Sequence, residues 1–181
     1  KQAAAAVGQS QLMHAYASAF AKQRLNVAQL LLTHNDLDSR TRHHNARNTL
    51  AHLLARGHVV PIINENDTVA VEELNFGDND RLSAEVAILL DADLLIILTS
   101  VDGLQDARGK IIPLVQDFSA VSGLVRSDKG HVSTGGMVTK LQAAQLAVKA
   151  GIPTVIASGR KAGLVNAIVA GQRVGTHFPT K

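Results

Sequence analysis

The sequence contains no cysteine and no tryptophan in 181 residues, and aromatic side chains make up only 3% of it. Without thiols the chain can form neither a disulfide nor a thiolate metal site, which suits a reducing cytoplasm. With so few aromatics, single-stranded nucleic acid would find no platform on which to stack its bases. A formal charge of +3, from Lys and Arg scattered along the chain, suits a small anionic ligand at least as well as a nucleic acid. Long apolar runs are missing too, and none approaches the ~20 residues that span a bilayer. Neither nucleic acid nor membrane is expected as a partner.

Apolar residues at 46% against 18% charged ones describe a soluble globular chain. A length of 181 residues suits one domain with a proper core and is short for two. Leu12, Met13, Tyr16, Ala17 and Phe20 in the Ala-rich stretch 2–22 predict an amphipathic helix. "NVAQLLLT" (26–33) reads as a strand, 38–56 as a helix closed by Gly57, and "HVVPIIN" (58–64) as a strand buried on both faces. From Asp80 a helix carries Leu82, Val86, Leu89 and Leu90, and "LLIILTS" (94–100) is the next strand. Residues 105–132 read as irregular, with a weak strand in "KIIPLV" and room for a short helix. "TGGMVTKLQAAQLAVKAG" (134–151) is a helix opened by two glycines, followed by the strand "IPTVIASG", the helix "LVNAIVAG" and a short strand "GTHF". This alternation predicts an α/β fold, a three-layer α/β/α sandwich with a mainly parallel central sheet.

Three polar clusters stand where strands or loops end. Asn64-Glu65-Asn66-Asp67 follows a buried strand, and open α/β sheets bind ligands beyond the carboxyl ends of their strands. A polar turn needs one or two such residues, so four in succession favour a site. Asp78, Asn79 and Asp80 stand at a helix start, where one of them would suffice as an N-cap. Carboxylates gathered with amides suit a ligand's ammonium group or the orientation of a catalytic lysine. In "TGGMVTK" two glycines allow close backbone approach, a helix N-terminus favours an anion, and Lys140 can reach phosphate oxygens. The spacing is not that of a P-loop, and a tight structural turn explains the glycine pair equally well. No metal-ligand set, nucleophile elbow or dinucleotide-binding fingerprint is found in the sequence.

Taken in this order, the clusters resemble the glutamate 5-kinase family of the amino acid kinase superfamily. "VVPIINENDTVAVEELNFGDNDRLSAEVAILLDADLLIILTSVDGL" and "TGGMVTKLQAAQLAVKAGIPTVIASG" carry the resemblance, with "AAAAVGQSQLM", "QLLLT" and "RHHNARNTL" adding to it. It runs from Lys1 to Thr176, and "INEND" and "GDND" separate it from acetylglutamate, uridylate, carbamate and aspartate kinases. The resemblance implies ATP-dependent phosphorylation of the side-chain carboxylate of L-glutamate, with Mg²⁺, as the first step of proline biosynthesis in the cytoplasm. It implies that Asp67 and Asn79 hold glutamate, that Asn64 and Asp78 line the same pocket, and that Asp80 orients the catalytic lysines. Thr99 and Ser100 match a nucleotide-contacting pair. Thr134, Gly135, Gly136, Met137, Val138, Thr139 and Lys140 match the nucleotide loop, with Lys140 acting on the transferred phosphoryl group. Feedback inhibition by proline and homo-oligomeric assembly are implied in the same way.

The chain departs from the family in three places. The family's opening strand with its lysine, its glycine-rich loop and a Ser-Gly turn have no counterpart in these residues. Ser100 replaces the family's usual Asp, and Ser133 stands where Gly is common. Residues 1–181 are therefore expected to form an N-terminally incomplete kinase domain, without the RNA-modification-type domain appended to many members. The alternatives are another amino acid kinase acting on a different carboxylate or phosphate, and a non-catalytic glutamate-binding or assembly subunit.

Overall fold

The computed structural model describes residues 2–69, 78–121 and 134–180, with the backbone alone for Asp78, Thr134 and Gly135. Expectations for Phe76, Gly77, Ser133 and the rest of 70–77 and 122–133 lie outside the described residues. The chain divides into two compact units, Lys1–Leu82 and Ser83–Lys181.

The first unit contains α1 (Gln2–Ala21), β1 (Asn26–Leu32), α2 (His34–Asp38), α3 (Arg40–Leu54), β2 (Val59–Glu65) and the start of α4 (Asp78–Leu90). β1 and β2 run parallel, with Asn26 opposite Val59 and Leu32 opposite Glu65. Pro61 has no N–H to give to a ladder, which suits a strand bonded along one side. α1 lies against β1, and α3 packs on β2 with Ala46 and Leu50 buried, one helical turn apart.

Two expectations change here. The helix foreseen over 38–56 is α3, and a separate short helix, α2, precedes it. Thr33 caps α2 in a capping box: its hydroxyl accepts from the Asp36 N–H, while the Asp36 carboxylate accepts from the Thr33 N–H at 2.8 Å. The chain then turns extended at Ser39 (φ −81°, ψ 118°), and α3 begins afresh. The bond from the Thr33 hydroxyl is the main reason why the Asp36 carboxyl is held below its ordinary pKa; the Thr33 N–H and Arg42 add to it and partial burial opposes it. The second change concerns α1, in which no residue is buried. A narrow stripe through Ala5, Gln9, Met13 and Phe20 is half-covered, whereas Leu12, Tyr16 and Ala17 stand exposed. Helical spacing marked the helix correctly but not the stripe that packs.

The second unit contains the rest of α4, β3 (Leu95–Thr99), α5 (Thr134–Lys149), β4 (Thr154–Ser158), α6 (Leu164–Val169) and β5 (Thr176–Phe178). β4 is the middle strand, parallel to β3 and antiparallel to β5, and all five of its residues are buried. Its side chains alternate between two faces. Ile156 joins Ala143, Ala144 and Ala147 of α5 with Ala84 and Ala87 of α4. Val155 and Ala157 meet Leu164 and Ile168 of α6 on the other side. A sheet with helices on both faces gives three layers, as the alternation predicted.

β5 is seated by two features. Phe178 is buried and stacks on Phe118 with ring centroids 5.2 Å apart. Gly175, at φ +77°, passes so close to β4 that a Cβ there would strike the Ile156 carbonyl and lie 2.8 Å from Ala157 Cβ. The weak strand expected in "KIIPLV" is not a strand. It makes two isolated bridges, Gln105 with Ile111 and Leu114 with His177. Pro113 cannot donate to a ladder and only accepts, its carbonyl taking the His177 N–H at 3.0 Å.

Candidate functional site

In the first unit, the four polar residues after the β2 run divide their work. Glu65 is buried and engaged, directly opposite Leu32 at the strand's end. Asn66 builds the turn: its N–H donates to the Leu32 carbonyl at 2.9 Å, and its own carbonyl accepts from Val69 at 3.1 Å. The Thr68 hydroxyl donates to the Asn66 side-chain oxygen. Asn64 is tied to α1, its Nδ2 donating to Gln9 Oε1 at 3.0 Å. Asp67 stands exposed, one turn beyond Asn64. Of the pair read as glutamate-binding here, Asn64 is anchored and Asp67 faces solvent.

Asp78, Asn79 and Asp80 occupy the first turn of α4, where the helix dipole favours negative charge. Asn79 is exposed, and Asp80 is half-buried and engaged. The buried face of α4, from Leu82 through Leu89, fixes that turn.

In the second unit, Thr99 ends β3 beside Ser158 of β4, and its carbonyl accepts from the Gly159 N–H at 2.8 Å. Ser100 is exposed in the bend that follows. Beyond the same carboxyl ends, Lys161 Nζ lies 2.8 Å from Asp102 Oδ1, joining the loops after β3 and β4. This is the edge of a parallel sheet where ligands collect.

Thr134 to Lys140 form the first two turns of α5, which packs on β4 and β3. Gly136 and Val138 are exposed, whereas Met137, Thr139 and Lys140 are half-buried, and Lys140 is engaged. The Thr139 hydroxyl donates to the Gly136 carbonyl at 3.0 Å. Gly136 is the informative residue. Among the described residues a Cβ built there would meet nothing within 4 Å, and its backbone is ordinary helix. Neither packing nor conformation asks for glycine, although glycine inside a helix costs roughly 0.5–1 kcal/mol against alanine. What glycine supplies here is open backbone. A cleft of about 1000 Å³ also adjoins α5, lined by Phe118, Val138, Leu141, Gln142, Gln145 and Lys149 among others; among the described residues Val138 is its one member of the candidate set.

Sequence reasoning overlooked Gln9 and the Lys161–Asp102 pair, and it did not foresee that Glu65 is buried. For the pair a signal existed: "SGRKAG" closes an apolar strand just as "INEND" does. For Gln9 none did, since its partner lies 55 positions away.

Parallel strands with polar carboxyl ends, flanked by helices that open on a glycine pair and on a run of acids, are the architecture of an amino acid kinase. Residues 1–158 match the amino acid kinase family, and the chain belongs to it. Within that family it is 52% identical to the glutamate 5-kinase of Moorella thermoacetica, over 98% of this chain and 49% of that one. To the glutamate 5-kinase of Nitrosococcus oceani it is 50% identical, over 97% of this chain and 48% of that one. The chain spans about half the length of the curated relatives it matches. Among solved structures, N-acetylglutamate synthase from Neisseria gonorrhoeae aligns with a TM-score of 0.57 at 19% identity, over 75% of this chain and 31% of that one. UMP kinase from Bacillus anthracis aligns with a TM-score of 0.50 at 19% identity, over 74% of this chain and 50% of that one. Identities this low carry the fold and nothing finer.

Proposed function

We propose that the protein phosphorylates the side-chain carboxylate of L-glutamate with ATP, giving glutamyl 5-phosphate for proline biosynthesis. The observation that carries this reading is the identity of about half to glutamate 5-kinases across nearly the whole chain. Asp67 and Asn79 hold glutamate in this proposal, with Asn64 and Asp78 lining the same pocket. Thr99, Ser100 and the segment Thr134 to Lys140 take the nucleotide. The open backbone at Gly136 supports that assignment, because phosphate oxygens need exposed N–H groups without side chains over them.

The chemistry asks little of the protein beyond alignment and charge. A glutamate carboxylate oxygen attacks the γ-phosphorus, the new O–P bond forms as the bond to ADP breaks, and no proton has to be removed. No general base is therefore required. Lys140 neutralises charge gathering on the transferred group, and Asp80 orients lysine. Magnesium bound together with the nucleotide would supply further positive charge to the transferred group. Among the described residues no three His, Asp or Glu side chains gather into a group that could hold a metal ion. No described helix is long and apolar enough to cross a membrane. The cytoplasm, feedback by proline and assembly into a homo-oligomer belong to the same proposal.

The test is an assay on the complete gene product with ATP, Mg²⁺, L-glutamate and hydroxylamine, which traps the acyl phosphate. Glutamate-dependent hydroxamate is the expected product. ATP turnover with another acceptor and none with glutamate would overturn the reading. Asp67→Asn should raise KM for glutamate at least about thirty-fold while leaving KM for ATP nearly unchanged, because it removes one partner of a charged contact.

A further inference from the structure

Thr176 opens β5, is 0% exposed, and belongs to none of the three polar clusters. Its surroundings are apolar: Ile156 lies opposite it on β4, and Phe178, two positions along on the same face, is buried as well. Valine has nearly the same shape and would fill such a place without a polar atom. The hydroxyl, however, has a partner that valine would forfeit. Thr176 Oγ1 accepts from the Leu104 N–H at 2.8 Å, across 72 positions of sequence.

Leu104 closes the bend after β3, the stretch on which Ser100 and Asp102 stand. Three ties hold that stretch. At its start the Thr99 carbonyl takes the Gly159 N–H at 2.8 Å. Midway, Asp102 meets Lys161 at 2.8 Å, but both side chains of that pair are more than half exposed and water competes with it. The third tie, from Leu104 to Thr176, is buried at both ends, Leu104 being 2% exposed. A buried N–H left unmet is strongly disfavoured, so this tie fixes the end of the bend. Gly103 comes so close to β5 that a Cβ there would stand 2.8 Å from Thr176 Oγ1 and 3.2 Å from the Thr176 nitrogen.

We propose that Thr176 is a positioning residue for the nucleotide site: its buried hydroxyl holds the bend after β3 so that Ser100 meets the nucleotide in one place. This rests on the reading of Thr99 and Ser100 as nucleotide contacts. Thr99 is held by strand pairing with Ser158, whereas Ser100 depends on the bend. Thr176→Val keeps the shape and removes the acceptor. Thr176→Ser keeps the acceptor and removes a methyl group.

Steady-state kinetics and calorimetric titration with Mg–ADP, both on the complete gene product, test the inference. Thr176→Val should raise KM for ATP and Kd for Mg–ADP at least about fivefold, with KM for glutamate changed by less than about twofold. Thr176→Ser leaves a small void in the core and should melt at a lower temperature, yet keep KM for ATP within about twofold of wild type. A residue that served stability alone would not part the two variants in this way. Amide hydrogen exchange across 100–104 should quicken in Thr176→Val and not in Thr176→Ser. If Thr176→Val does not fold, Thr176→Cys takes its place, since its sulfur accepts only weakly. A folded Thr176→Val with KM for ATP and Kd for Mg–ADP unmoved, an equal rise in KM for glutamate, or a Thr176→Ser as damaged towards ATP would each overturn the inference. Wild type that binds Mg–ADP without phosphorylating glutamate would overturn the proposed function alone, and the Kd values would still decide this inference. Wild type that binds no Mg–ADP would remove both.

Discussion

At Gly136 the helix and the proposed chemistry ask for different residues. Alanine would suit α5 better, since its Cβ has open space and the backbone there is helical. Gly136→Ala should therefore stabilise the fold by about 0.5–1 kcal/mol. It should also raise KM for ATP about tenfold, because a methyl group would cover N–H groups that a phosphate needs. Denaturant unfolding and initial rates on one preparation check both signs. A variant that is more stable and equally active would remove Gly136 from the nucleotide site. At this scale the sequence showed which residues were unusual but not how they share tasks. Four polar residues at the end of β2 stood out, yet that Glu65 is buried, Asn66 builds the turn and Asn64 meets Gln9 depends on partners that local spacing does not reveal.

Among the elements, the link between β1 and α3 offers a pH test. Asp36 accepts from the Thr33 N–H and hydroxyl at 2.8 and 2.7 Å and from Arg42 at 3.0 Å, and its carboxyl is held below its ordinary value. A carboxyl lowered on folding contributes stability above its unfolded pKa and loses it as pH falls through the folded one. Asp36→Asn should cost about 1 kcal/mol at neutral pH. The gap in melting temperature should stay level down to about pH 4 and close below it. A gap that is flat through the acid range would remove the charge from the account. The capping pattern, Thr with an acid three residues on, was present in the sequence at 33–36, and weighing it would have shown α2 as a helix of its own. The strands were legible because a buried strand needs an unbroken apolar run, and β3 and β4 are such runs. "KIIPLV" misled because an apolar run does not say how much of it finds a partner: it bridges only at Ile111 and Leu114, whereas Pro61 sits inside a paired strand.

For the molecule as a whole, α1 is the element least accounted for by the chain's own core. It is 20 residues long, none of them buried, and it shows Val7, Leu12 and Tyr16 to solvent. An alanine-rich helix that exposes apolar side chains gains by covering them, which supports the homo-oligomer proposed above. Light scattering should give at least twice the mass of one chain. Leu12→Glu with Tyr16→Glu should shift the population to single chains without unfolding them, because neither residue is buried in the chain itself. A wild type that runs as a single chain would leave α1 without this role.

The seat of β5 has a consequence for how variation at glycine is tolerated. Every replacement of Gly175 adds a carbon where β4 already stands, whereas a replacement at Gly136 enters open space. In a library of all single substitutions, growth without supplied proline should deplete both positions, given the proposed function. An abundance reporter fused to the same library should deplete Gly175 alone. Two glycines equally intolerant to a geneticist would then be told apart by cause, one guarding the existence of the protein and the other its use.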